Sequence, residues 1–190
     1  MLKKATHDSA TGEKSYWLSI PLIPFARTQS KTIKKQFEAG CTMFDLRTKF
    51  AFGEWRAAHG LWFSKRSMES ILEEINEYAK DKPKSIVVFM TYEGRNHCVL
   101  DFKEKVLEWK EKFQNIGWGV VCTKYTDNTI VVNYGVVMES EPNLPGGTQA
   151  FLPLDGKRWQ TLIPIPWLWK QFYFKHVEFN EETYQFVDFL

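Results

Sequence analysis

The chain has 190 residues, 44% of them hydrophobic, which gives room for one domain over 1–190 with a sizeable core. A formal net charge of +2, with no lysine or arginine run interleaved with aromatics, excludes a dedicated nucleic-acid binder. Three cysteines, Cys41, Cys98 and Cys122, cannot all pair and lack metal-ligand spacing, so they read as reduced, mostly buried thiols. No window approaches the ~18 apolar residues of a spanning helix, and the first residues hold lysines but no apolar stretch long enough for a signal peptide. A soluble protein is expected, secreted if a leader was trimmed and otherwise cytoplasmic. Its 8 tryptophans and 15 phenylalanines suit a core, with a lipid interface as a second use.

Leu2 to Thr6 reads as a first strand that delivers His7 at its C-terminal end. The apolar run Trp17 to Phe25 contains Pro21 and Pro24, so it cannot be a long regular helix. Ser30 to Ala39 is predicted helical, with Ser30 able to cap, Ile33 and Phe37 one turn apart and Gly40 as the stop. Cys41 to Phe44 is a short strand, and Ala57 to His59 another. A helix is expected over Ser67 to Lys80, with Met68, Ile71, Leu72, Ile75 and Tyr78 on one side. Pro83 then breaks the chain before Ser85 to Met90, whose continuous apolar character fits a strand buried on both faces. Asp101 to Phe113 is a second amphipathic helix with Phe102, Val106, Trp109 and Phe113 inward. Alternating strands and helices argue for an α/β fold with parallel strands. Beyond Gly117 the pattern changes: Trp118 to Tyr125 and Thr129 to Met138 read as a hairpin around Asp127-Asn128. Glu141 to Gly147 reads as a Pro/Gly-rich loop, Pro164 and Pro166 exclude a long helix before residue 170, and Tyr184 to Phe189 alternates like a last strand.

The chemistry-bearing residues gather at predicted strand ends. Asp45 and Arg47 follow the Cys41 to Phe44 run and share one face, because strand side chains alternate. His59 precedes a glycine at the end of its short strand, and His7 and Asp8 follow the first strand. Two histidines, two acids and an arginine so placed suggest phosphoryl transfer. A histidine suits both base and acid roles because its unperturbed pKa lies near neutrality.

In order, Thr6-His7-Asp8-Ser9, Thr28-Gln29, the helix Ile33 to Glu38, Gly40 to Arg47 and His59-Gly60 resemble the X domain of the phosphatidylinositol-specific phospholipase C family, in its metal-independent bacterial branch. The likeness covers residues 1–93 and the last strand. The calcium-dependent branch carries an asparagine after the first histidine and an acid where Arg47 stands, so Asp8 and Arg47 speak against calcium, and no cofactor or metal is expected. The resemblance implies a small, distorted TIM-type (β/α) barrel of the phospholipase C-like phosphodiesterase kind, irregular in its second half. Such barrels typically need about 250 residues.

The resemblance also implies roles. His7 matches the general base that takes the inositol 2-hydroxyl proton, and His59 the acid that protonates the departing diacylglycerol oxygen. Asp188 matches the partner of the base, Asp8 that of the acid, and Arg47 the phosphate ligand; Asp45 would steady Arg47 or touch the inositol ring. The Trp17 to Phe25 segment, with Trp17, Leu18, Ile20, Leu22 and Phe25, corresponds to the part of the family that contacts a phospholipid surface. There are departures. Thr91-Tyr92-Glu93 stands where the family has a lysine, and Asn133-Tyr134 stands where it has an arginine, which leaves the head group open. Two rivals are the same chemistry on another phosphodiester and a non-catalytic barrel that binds lipid or protein. A glycerophosphodiester phosphodiesterase or sphingomyelinase-type barrel would need metal-binding acids that Asp45-Leu46-Arg47 does not provide.

Overall fold

A computed structural model describes residues 4–6, 9–94 and 99–118, and the strand backbones at 122–126, 130–133, 149–150 and 185–187. The strands are β1 (Lys4–Thr6), β2 (Cys41–Ala51), β3 (Glu54–His59), β4 (Trp62–Ser67), β5 (Val87–Tyr92), β6 (Gly117–Trp118), β7 (Cys122–Thr126), β8 (Ile130–Asn133), β9 (Gln149–Ala150) and β10 (Gln185–Val187). The helices are α1 (Ile23–Ala26), α2 (Ile33–Glu38), α3 (Met68–Tyr78) and α4 (Val99–Lys112), with 3-10 turns at Ser9–Gly12 and Trp17–Leu22. One sheet runs β8-β7-β5-β2-β1-β10-β9, and its path does not close among the described residues. From β9 to β7 all neighbours on this path are parallel. The α2 segment connects parallel neighbours β1 and β2, and α4 links β5 to the short parallel strands β6 and β7. The result is a mixed α/β fold.

Strand β2 divides the molecule into two environments. Phe44 and Leu46 face the helices, where Val88, Met90 and Tyr92 of β5 join Ile71, Leu72 and Ile75 of α3 and Phe102, Val106 and Trp109 of α4 in the main core. On the opposite face Met43 and Ala5 form a smaller apolar cluster with Val87 and Phe89, which are only partly buried. The expectation that β5 is buried on both faces is therefore met on the helix side alone. A strand in a sheet layered by helices on one side keeps full burial only there.

The expected helices formed with shifted ends. Helix α2 is capped by Thr32, whose hydroxyl accepts from Lys35 N at 3.4 Å, and not by Ser30. Gly40 ends it as expected, with φ +86°, a conformation that disfavours any side chain with a Cβ. Helix α3 begins after Ser67, which accepts from Ser70 N at 3.1 Å, and buries Met68, Ile71, Leu72 and Ile75. The β7–β8 hairpin is antiparallel, as the sequence pattern suggests. The segments 141–147 and 161–169, expected as a loop and as a stretch without a long helix, lie outside the described residues, as does Cys98.

Two strand assignments need correction. Strand β2 does not stop near Phe44 but continues to Ala51, so Asp45 and Arg47 lie within it. Ala57 to His59 is the end of a longer strand, β3, which is antiparallel to β2 and continues into β4. The turn between β2 and β3 is Phe52-Gly53, both with positive φ (55° and 81°), the geometry of a two-residue hairpin turn. Phe52 holds this uncommon conformation while stacked on Tyr16 at 4.2 Å and set edge-on to Phe63 at 5.3 Å.

Trp109 is 1% exposed and contacts Trp55 edge-on, whereas Leu107 on the same helix is 44% exposed. Trp109→Ala should cost about 3–5 kcal/mol, read as a lower urea midpoint at constant m, and Leu107→Ala less than about 0.5 kcal/mol. Equal effects of the two would contradict this core. Cys41 is buried, donates to the Lys4 and Met43 carbonyls at 3.4 and 3.1 Å, and burial pushes its thiol pKa up to about 11. An unfolded thiol ionises near 9.0, so this contribution to stability is whole below pH 9 and is lost as pH rises through 11. Urea midpoints of the native protein should fall over that window more steeply than those of Cys41→Ala.

Candidate active site

Alternation along β2 puts Asp45 and Arg47 on the face of Met43, away from the helices. In the register with β5, Asp45 lies beside Phe89, Arg47 beside Thr91 and Thr48 beside Tyr92. The next backbone bond, Glu93 N to Thr48 O at 2.8 Å, sets Glu93 one residue beyond β5 and next to Arg47. There Arg47 Nη1 donates to Glu93 Oε1 at 3.1 Å, and Arg47 Nε lies 3.7 Å from Asp45 Oδ2. The Glu93 side chain is 2% exposed. A carboxylate so buried needs partners to replace the water it loses, and Arg47 with the Gly60 N–H, 3.1 Å from Oε2, supplies them. Glu93 thus joins the two strands to the turn that follows His59.

His59 ends β3, and its Nδ1 lies 2.6 Å from the carbonyl oxygen of Ala26. A carbonyl can only accept, so Nδ1 carries the proton and, in the neutral ring, Nε2 is the basic nitrogen. Ala26 closes α1, so the segment 15–26 supports the histidine. That segment is fastened along β4 by Tyr16 N to Phe63 O at 2.8 Å, Trp62 Nε1 to Ser15 Oγ at 2.8 Å and Phe63 N to Ser19 Oγ at 2.9 Å. The turn Ser9–Gly12 is pinned as well, because Thr11 Oγ1 accepts from Thr28 N and Gln29 N at 3.1 and 3.0 Å. Arg47, Thr11, Ala57 and Trp62 border a narrow gap that leaves no room for a water molecule.

Of the residues anticipated from sequence, Asp45 and Arg47 form an ion pair, and His59 is connected to them through Gly60 and Glu93. His7, Asp8 and Asp188 lie outside the described residues. Glu93 was not anticipated as a member of the site. Its signals in the sequence are a carboxylate directly after an apolar strand and its place in Thr91-Tyr92-Glu93, where the resembled family has a lysine. The apolar segment is a 3-10 turn running into one turn of α-helix, and it leaves Trp17, Leu18 and Ile20 66%, 50% and 56% exposed. Leu61, in the turn after His59, is 70% exposed. Among the described residues no helix is long and apolar enough to cross a membrane.

Comparison with known proteins adds to this geometry. The chain is 31% identical over 93 residues to 1-phosphatidylinositol phosphodiesterase of Listeria monocytogenes, a match covering 48% of this chain and 27% of that one. The chain is similar to a bacterial phosphatidylinositol phosphodiesterase. The solved phosphatidylinositol-specific phospholipase C of Listeria monocytogenes superposes with a TM-score of 0.50 at 19% identity, over 70% of this chain and 54% of that one. At that identity the likeness is one of fold. No family model matches the chain. The chain therefore spans about a quarter of the length of the curated relative it matches and about half of the solved one.

Proposed function

We propose that this chain is a metal-independent phosphodiesterase acting on phosphatidylinositol or a related phospholipid, built as an arc of a small, distorted (β/α) barrel in one domain over 1–190. The strand register carries the reading. Thr6 of β1 is level with Phe44 of β2 and with Val187 of β10. The residues that follow those three in sequence are His7, Asp45 and Asp188. The similarity to the Listeria monocytogenes phosphodiesterase supports the same chemistry.

In this mechanism the substrate supplies its own nucleophile. His7 takes the proton of the inositol 2-hydroxyl, the oxygen attacks the adjacent phosphorus, and the bond from phosphorus to the diacylglycerol oxygen breaks. His59, protonated at Nε2, gives its proton to that leaving oxygen. The products are diacylglycerol and a cyclic inositol phosphate. Asp188 orients His7, and Asp8 together with the Ala26 carbonyl holds His59, in the manner of the carboxylate of a serine triad. Arg47 receives the phosphate oxygens, its planar donors matched to the charge that builds there, and Asp45 steadies it. A second reading, the same chemistry on another phosphodiester, draws on Glu93, which sets an anion beside Arg47 where the resembled family has a lysine.

Phosphorus NMR of the protein with phosphatidylinositol vesicles and EDTA should show a cyclic inositol phosphate. His59→Ala should lower kcat by about 10²-fold or more. Near-normal turnover in that variant would remove the acid role, and silence of the native protein would turn the search to other phosphodiesters. For the membrane, Trp17, Leu18, Ile20, Leu22 and Phe25 are proposed to meet the phospholipid surface, an assignment supported by the exposure of the first three. Trp17→Ala combined with Leu18→Ala should reduce co-sedimentation with phosphatidylinositol-containing vesicles; unchanged sedimentation would discard this contact.

A further inference from the structure

Each oxygen of the Glu93 carboxylate has a separate partner on a separate element. Oε1 accepts from Arg47 Nη1 of β2 and Oε2 accepts from the backbone N–H of Gly60, each at 3.1 Å. The residue's own N–H donates to Thr48 O at 2.8 Å, so its backbone is anchored beside Arg47 as well. Asp45 approaches the same guanidinium at Nε, 3.7 Å away. A guanidinium is planar, with its donors in a fixed fork, so the Nη1 hydrogen bond to Glu93 restrains the plane of the whole group, while Asp45 stands only within ion-pair range of Nε. An arginine side chain otherwise has many rotamers to lose on binding.

The geometry points to Glu93 as a positioning residue that acts through Arg47. It fixes the guanidinium plane and ties it to the turn that follows His59, so that the phosphate ligand and the acid keep one separation. This rests on the proposed roles of Arg47 and His59. Glu93 itself does not touch the substrate in this assignment. Only a carboxylate of this length serves both donors: a glutamine has one acceptor oxygen and presents an NH₂ group to whichever of Arg47 and Gly60 that oxygen does not serve.

The test compares the native protein, Glu93→Gln, Arg47→Lys and the double variant. Arg47→Lys keeps the positive charge beside the two carboxylates but removes the fork. On phosphatidylinositol vesicles Glu93→Gln should lower kcat by about 10²-fold, the scale of a misplaced group, with KM little changed. In the Arg47→Lys background the same substitution should cost little more, because there is no fork left to orient. Full turnover of Glu93→Gln, or losses that multiply independently in the double variant, would overturn the proposal. Arginine side-chain ¹⁵N NMR reads the same contact without substrate. Separate Nη–H signals of Arg47 in the native protein should merge in Glu93→Gln as rotation is freed. If that occurs while phosphatidylinositol is not cleaved, the substrate reading falls and the positioning stands. If the Arg47 signals are unchanged in Glu93→Gln, the positioning falls whatever the activity.

Discussion

Strand β2 has to serve two environments at once, and the rest of the molecule is arranged around that requirement. Its even positions, Phe44 and Leu46, are covered by helices and contribute to the main core. Its odd positions progress from Met43, still apolar, to Asp45 and Arg47, which carry charge. Because side chains alternate with a period of two, a slip of one residue in register would bury both charges under the helices and expose Phe44 and Leu46. The parallel pairing with β1 and β5 is thereby specified by packing on one face and by charge on the other.

The charge on that second face is balanced locally. Arg47 lies between Asp45 and the nearly buried Glu93, and Gly60 contributes a backbone donor. Removing such a carboxylate from water is costly, and the cost is offset only by a partner with suitable geometry. A bidentate-capable cation and an oriented amide supply it. The same contacts make the site one unit of three elements: β2 carries the ion pair, the residue after β5 carries the bridging carboxylate, and the β3–β4 turn carries the histidine at its edge.

The antiparallel arm formed by β3 and β4 also connects the site to the surface. The 15–26 segment lies along β4, hydrogen-bonded at both backbone and side chains, and its last helical residue accepts the His59 proton through a carbonyl. The apolar residues it exposes and the exposed Leu61 therefore belong to the same piece of structure that holds the histidine ring. The exposed Trp17, Leu18 and Ile20 and the Ala26 carbonyl that receives the Nδ1 hydrogen bond thus lie within ten residues of one another on a single segment.

Sequence by itself determined the helices and the parallel frame. The spacing of Met68, Ile71, Leu72 and Ile75, and of Phe102, Val106, Trp109 and Phe113, reports burial directly, because one helical face is either apolar or not. It also singled out Asp45, Arg47 and His59, whose residue types are scarce and whose order matches a known pattern. Only the tertiary structure decided the length of β2 and the antiparallel arm, since Phe52-Gly53 is not a usual turn pair and its conformation stands on stacking against Tyr16, distant in sequence. Only it revealed Glu93 as a member of the site. A carboxylate after an apolar strand is ordinary in sequence; what gives it a role is the approach of Arg47, 46 positions earlier, and of Gly60, 33 earlier, and such meetings depend on sheet register, which no local pattern encodes.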